Sequence, residues 1–405
     1  MLYVGIDIAK RGHVAAVVDE RGKTLLEPFK FSNTADGFSR LLGKLAKAGA
    51  RRDAAMVGME ATGHYWISLF DFLCRHGYDV AVINPIQTDA FRKVDTVRQA
   101  KTDSADAALI AGLMRFKAFE PSALGDEAVQ ALRQLSRYRS YLVEERASLK
   151  NKLTALLDLA FPEYASLFSD VFGAASMAVL KEFAVPEKVA AANVRTIEKT
   201  VREASRGRLG RARADQLKKA AKGSVGVSFD SDAMAFQIKL VVENVEFLDG
   251  QISKIEGELE SKLEKTAGRW LTTIPGVGTV LASAIAGEVG DAKRFATPSK
   301  LIAYAGMDAT KHQSGESDPD GHMSKRGSSH LRWALMEAAD KVRENDPYFG
   351  GYYDRKIAEG KHYYVALSGV ARKLAGVVLS LMKEGRAYEP APPANHRPGH
   401  LGAAK

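Results

Sequence analysis

A chain of 405 residues exceeds one ordinary core and suits two or three domains, and 46% apolar residues give each of them enough to bury. The net charge of +9 favours polyanionic partners, because Lys and Arg that neutralise phosphates release counterions. The single cysteine, Cys74, excludes a disulfide scaffold and any multi-cysteine zinc site.

Residues 1–115 read as alternating strands and helices. Residues 2–8 are a short apolar run containing Asp7, and residues 13–19 are a second. Glu20-Arg21-Gly22-Lys23 then turns the chain into a third strand at 23–31. A helix is expected over 36–48, where Phe38, Leu41, Leu42 and Leu45 recur at helical spacing. Residues 54–60 read as a buried strand. Residues 65–76 read as a helix ended by Gly77, with Cys74 in its apolar core. Residues 79–83 are a further strand, stopped by Asn84-Pro85. Antiparallel hairpins followed by strand–helix–strand units give an α/β sheet in the order of an RNase H-like fold.

Residues 127–160 change character. Leu132, Leu135, Tyr138, Leu142, Leu149, Leu153 and Leu156 recur at helical spacing, with Arg133, Arg137, Arg139, Arg146, Lys150 and Lys152 between them. This predicts a long amphipathic helix with a basic outer face. Ile238, Val241, Val245, Leu248, Ile252, Ile255, Leu259 and Leu263 form a coiled-coil seam. The two helices pair either within one chain or between copies. Residues 190–223 carry Arg195, Lys199, Arg202, Arg206, Arg208, Arg211 and Arg213, which form either a solvated face or a phosphate contact. The expected domains are 1–125, a helical coiled-coil domain at 126–266 with a basic insert, a mainly α domain at 267–387, and a Pro-rich tail at 388–405 expected to be disordered. The opening MLYVGIDIAK lacks a signal-peptide pattern, and no apolar stretch reaches the roughly 18 residues of a membrane span. The expected location is therefore the cytoplasm.

Chemistry concentrates on four acidic residues. Asp7 and Glu60 each end an apolar strand, where an unpaired buried carboxylate costs several kcal/mol and needs a cation, a metal or water. Asp103 and Asp106, three apart, share one helical face. Together they offer oxygen ligands for hard divalent cations such as Mg²⁺, and two such ions about 4 Å apart promote phosphodiester cleavage and transfer. Taken singly, Asp103 also fits a helix cap, Asp106 a solvated helix position, and Asp7 a strand-end turn.

A second constellation follows. Ile274-Pro275-Gly276-Val277-Gly278-Thr279 reads as a helix-hairpin-helix turn. Gly276 and Gly278 there let backbone amides approach a DNA phosphate, unless the turn is only structural. Downstream, Lys325, Arg326 and Arg332 are candidate phosphate ligands. Ser314, before Gly315, is a hydroxyl able to attack a phosphodiester, though a serine in a loop is most often only a turn residue.

This order of motifs (Asp7, Glu60, Lys101-Thr102-Asp103-x-x-Asp106-Ala107, the coiled coil, Ile274-Pro275-Gly276-Val277-Gly278, Ser314-Gly315, Ser324-Lys325-Arg326-Gly327 and Leu331-Arg332) resembles that of the DEDD insertion-sequence transposases. That group is the IS110/IS1111 family of bridge-RNA-guided recombinases. The resemblance spans residues 2–345. It implies a RuvC-like N-terminal domain in which Asp7, Glu60, Asp103 and Asp106 bind Mg²⁺. It also implies a C-terminal transposase domain with a nucleophilic serine, best matched by Ser314 and next by Ser324. It further implies assembly of the two sites from different subunits of a dimer or tetramer, acting in the prokaryotic nucleoid. A noncoding guide RNA would pair with donor and target DNA, leaving sequence choice to base pairing. The chain departs from a compact family member in the insert at about 160–235, the Pro-rich tail, and the acidic loop containing Glu316, Asp318 and Asp320.

Three other readings compete. A sugar-kinase-like ATPase fits Gly5-Ile6-Asp7-Ile8, but the later Asp-Gly-rich phosphate motif is missing. A junction-resolving nuclease would need the carboxylates and no serine. A non-catalytic scaffold would need only the charge.

Overall fold

The computed structural model describes residues 1–61, 63–95, 102–122, 126–309 and 322–390. The chain divides into two compact units, Met1–Leu124 and Gly125–Lys405.

The first unit holds a five-stranded mixed sheet of β1 (Leu2–Asp7), β2 (Gly12–Asp19), β3 (Thr24–Ser32), β4 (Ala55–Glu60) and β5 (Asp79–Ile83), in the order β3-β2-β1-β4-β5. The β1–β2 and β2–β3 pairs are antiparallel, and the β1–β4 and β4–β5 pairs are parallel. Ile6 pairs with Met59, so Asp7 and Glu60, one residue further on, sit at the same end of adjacent strands. One face buries Val4, Ile6, Val57 and Met59 against Leu41 and Leu45 of α1 (Ala35–Lys47) and Leu69 and Leu73 of α2 (Trp66–Arg75). Thr34 starts α1 by accepting the Gly37 N–H at 3.2 Å.

The other face carries α4 (Asp103–Phe116), which follows α3 (Pro85–Asp95). Thr102 caps α4 by accepting the Ala105 N–H at 3.2 Å. Gly5 sets how closely α4 seats. A Cβ there would lie 2.1 Å from the Ala107 carbonyl oxygen and 2.4 Å from the Ala111 nitrogen, so any side chain would push the helix off the strand. This contact brings the first turn of α4, with Asp103 and Asp106, to the end of the sheet where Asp7 stands. The sheet with helices on both faces is compatible with an RNase H-like domain.

The second unit is helical. Its spine is an antiparallel hairpin of α5 (Glu127–Ala160) and α10 (Ser231–Leu263), each about 50 Å long at 1.5 Å per residue. The crossing ion pairs Arg139–Glu256, at 2.8 Å, and Arg146–Asp249 fix the register. The two helices therefore pair within the chain.

Between them lie α6 (Ala174–Glu182), α7 (Pro186–Ala191), α8 (Val194–Ala204) and α9 (Arg211–Lys222). Their core of Val179, Leu180, Ile197, Val201 and Leu217 packs with Leu153, Leu157, Ile238 and Val242 of the hairpin. The rest of the unit comprises α11 (Thr279–Val289), α12 (Pro298–Tyr304), α13 (Ser329–Asn345), α14 (Pro347–Ala358) and α15 (Tyr363–Glu384). They share a core built on Ile285, Leu335, Val370 and Leu374.

Several expectations need correction. Cys74 is exposed, because the buried stripe of α2 runs through Leu69, Phe70 and Leu73 and leaves position 74 facing outward. The basic outer face expected on residues 127–160 is largely spent inside the unit. Arg133 and Arg137 serve α11, Arg139 and Arg146 pair with α10, and Lys150 lies 4.8 Å over the Phe172 ring. The helix α15 is long and apolar enough to cross a membrane by length and composition, contrary to the expectation that no stretch is. It instead forms the core of the second unit, burying Leu367, Val370, Leu374 and Val378. At the expected start of the disordered tail, Tyr388 is packed, and its hydroxyl donates to Asp346 at 2.8 Å. Residues 391–405 lie outside the described residues.

Candidate catalytic site

At the shared strand end, Asp7 is half-buried, and its carboxyl pKa is pushed up to about 6. Burial is the main cause, followed by the charges of Asp106, Asp103 and Glu60. Each of the three other carboxylates has a partner. The Thr88 hydroxyl of α3 donates to Glu60 at 2.6 Å. Arg92, also on α3, donates to Asp106 at 2.8 Å. Lys30 lies 3.9 Å from Asp103. Among the described residues, no group of three or more Asp, Glu, His or Cys is placed to hold a metal as the side chains stand. The sheet and α4 thus bring the four predicted acids into one electrostatic cluster, with three of them turned toward partners on α3 and β3.

Nothing in the sequence singles out Thr88 and Arg92, and Asn84-Pro85 marks there only the end of a strand. Proline is also favoured in the first turn of a helix, and α3 begins on Pro85.

In the second unit, the predicted turn begins with a 3-10 helix, Ala267–Thr273, rather than an α-helix. Gly276 has φ +88°, and a Cβ there would lie 2.8 Å from the Lys341 carbonyl oxygen, so packing on α13 alone requires glycine. Gly278 faces open space at the start of α11.

Ser314 lies outside the described residues. Ser324 is described. Its amide donates to the Asp308 carbonyl at 2.9 Å, and its hydroxyl donates to the Asp308 carboxylate. Lys325 follows in the left-handed region with φ 54°, its amide donating to the Gly306 carbonyl at 2.9 Å. Lys325 and Arg326 are exposed. Arg332 is half-buried and donates to the Ala305 carbonyl at 2.9 Å, which makes it a brace for this loop.

Beneath the loop lies Glu288, 2% exposed, at the end of α11. Burial opposes its charge, but Arg137 donates to both carboxylate oxygens at 2.7 and 3.1 Å and Ser328 donates at 2.8 Å. The net effect holds its pKa below the usual carboxylate value. Because Ser328 also caps α13, this network ties α5 and α11 to the segment that carries Ser324, Lys325 and Arg326.

Of the basic run at 190–223, Arg195, Lys199, Arg202, Arg206, Arg208 and Arg211 are exposed. Arg202 and Arg211 are also paired with Glu198 and Asp215 one turn away.

Two family models match the chain, and together they cover more than half of it. Residues 4–162 match a DEDD transposase model, and residues 268–354 match the transposase model of the IS116/IS110/IS902 family. The chain is 25% identical to the insertion element IS116 protein of Streptomyces clavuligerus, with 97% of each chain covered. It is likewise 25% identical to the transposase for insertion sequence element IS1328 of Yersinia enterocolitica, covering 95% of this chain and 98% of that one. The pilin gene-inverting protein of Moraxella bovis is 22% identical over 96% of this chain and 97% of its own length.

Proposed function

This chain belongs to the IS110 family of DNA transposases, and on that premise we propose that Asp7, Glu60, Asp103 and Asp106 are its catalytic carboxylates and that a serine of the second unit is its nucleophile. The observation that carries the reading is the pKa of Asp7, raised to about 6 by burial and by the three other acids. A cluster of mutually repelling carboxylates is what a hard divalent cation relieves.

The donor set fits Mg²⁺, with Asp7 and Glu60 presented by the sheet and Asp103 and Asp106 by α4. The bound ion would supply charge stabilisation at a phosphodiester. Thr88 and Arg92 bond Glu60 and Asp106 directly, and Lys30 lies within ion-pair range of Asp103.

Ser314 is the first candidate nucleophile and Ser324 the second. The attacking hydroxyl oxygen bonds to phosphorus and loses its proton to a base. The DNA strand then leaves with a free hydroxyl, and a hydroxyl from another strand reverses the step. Such a transfer conserves the number of phosphodiester bonds, as joining requires. The name of the Moraxella relative, an inverting protein, supports rejoining as well as cutting.

Lys325, Arg326 and the exposed backbone at Gly278 are the proposed phosphate contacts of the second unit. The exposed cations of α8 and α9 are the proposed surface for a guide RNA. Exposed Phe236, Leu240 and Phe247 on α10 support self-association into a dimer or larger assembly. A protein acting on its own element's DNA would work in the cytoplasm, on the nucleoid.

Recombination between plasmids carrying the element ends and a target tests the reading. Asp7→Ala and Ser314→Ala should each abolish recombination while expression and melting temperature hold. Mixing the two variants should restore it if the sites come from different subunits. Wild-type recombination by both variants would remove the assignment, and loss with Ser324→Ala but not Ser314→Ala would move the nucleophile.

A further inference from the structure

Beside the carboxylates, a cleft of about 390 Å³ runs along α4, bounded by α3 and the β2–β3 turn. It is lined by Arg92, Arg115 and Asp106, and Asp106 is the only acid among its described lining residues. Arg115 is exposed and lies over the backbone of Gly22, with its guanidinium 3.4 Å from where a Cβ would sit. At the rim, the Phe116 ring is 76% exposed and rests against Phe91, with ring centroids 5.7 Å apart. Gly112 keeps the floor of the cleft low, and a Cβ there would only touch the Phe91 ring at 3.6 Å.

An exposed aromatic beside two guanidiniums is the recurring combination in proteins that hold single nucleic-acid strands. The cations follow the phosphates, and the ring stacks a base of any identity. The distance along α4 from Asp106 to Arg115 is about 14 Å, room for a short stretch of strand.

We propose that this cleft binds a single DNA strand next to the carboxylate site, with Arg92 and Arg115 on its phosphates and Phe116 stacking a base. The inference rests on the carboxylate site being catalytic. Without a cation Arg92 stays paired with Asp106 and Asp89, so Arg115 would carry the phosphate contact in EDTA, and a cation held by Asp106 would leave one side of the Arg92 guanidinium for the strand. A protein segment is the other possible occupant, and the test separates the two.

The full chain is irradiated with a short single-stranded oligonucleotide containing 4-thiothymidine, and the crosslinked peptides are mapped. Affinity is measured in parallel against salt, with EDTA present. Crosslinks to α3 or α4 are expected. Arg115→Glu should weaken binding several-fold and lower the salt slope by about 1. Phe116→Ala should weaken binding about fivefold or more with the slope unchanged. Gly112→Leu, which favours the helix, should fill the cleft and weaken binding without lowering the melting temperature. Arg115→Lys should retain most of the affinity.

The proposal is overturned if the crosslinks avoid α3 and α4 and all three disruptive variants bind as the wild type does. If Asp7→Ala also recombines normally, the catalytic reading falls with it. If Asp7→Ala is inactive while Arg115→Glu binds and recombines fully, only the cleft assignment fails.

Discussion

Arg92 donates to Asp106 across 2.8 Å, and their side chains are only 21% and 14% exposed. A second nitrogen of the same guanidinium reaches Asp89 at 3.0 Å. Arg92 thus occupies a carboxylate that the proposed cation needs, and its charge opposes the ion. Arg92→Ala should tighten Mn²⁺ binding by about fivefold, because a like charge is removed from a partly buried site. Calorimetric titration of the full chain reads this directly, and unchanged or weaker binding would show that the pair does not compete with the ion.

Asp7 gives a pH-dependent signature. Its folded pKa, about 6, lies above its ordinary value of 3.8, so the folded state binds the extra proton between those two pH values. Its charge therefore opposes folding above about pH 6, and stability recovers as the pH falls below that value. In EDTA, Asp7→Asn should stabilise the protein by about 1–2 kcal/mol at pH 7.5, after discounting for partial exposure. The gain should vanish by about pH 4. Thermal melts at the two pH values check the sign.

Glu288 behaves oppositely. Its folded pKa is depressed, so the stability it contributes is present above the ordinary carboxylate value and lost as the pH falls through the lowered one. Arg137→Ala leaves this carboxylate buried with Ser328 and Arg133 as its remaining neighbours, and should cost about 3 kcal/mol in urea unfolding. Because Ser328 caps α13, that variant should also loosen the Ser324–Ser328 segment, seen as faster amide exchange there than at the far end of α13.

On α10, Phe236, Leu240 and Phe247 are 64%, 42% and 62% exposed and lie on one side of the helix by their spacing. Phe247→Glu should shift the sedimentation profile toward monomer without changing the melting temperature of the monomer. An unchanged profile would remove this stripe from the assembly interface.

The sheet of the first unit was legible because its strands are short apolar runs with clear turns. Asp7 and Glu60 stood out as charges placed where an apolar run predicts none. Residues 238–263 were legible as a seam for the same reason of period, though the choice between partner copy and same chain waited on the Arg139–Glu256 crossing. Arg133, Arg137, Arg139 and Arg146 misled, because spacing places them off the apolar stripe but does not reveal buried acceptors such as Glu288 on a distant helix. Thr88 and Arg92 were invisible for a related reason, since their partners Glu60 and Asp106 lie 28 and 14 residues away in sequence. Gly276 looked like a phosphate-binding glycine and is already required by the α13 backbone beneath it.

The most direct measurement is a calorimetric titration of Mn²⁺ into the full chain at neutral pH, comparing the wild type with Asp7→Asn and with Asp106→Asn. Four converging carboxylates predict saturable binding that falls at least tenfold in each variant, while Asp7→Asn melts no lower than the wild type in EDTA. Equal affinity in all three proteins, or no saturable binding in the wild type, would contradict the assignment of these residues as a cation site.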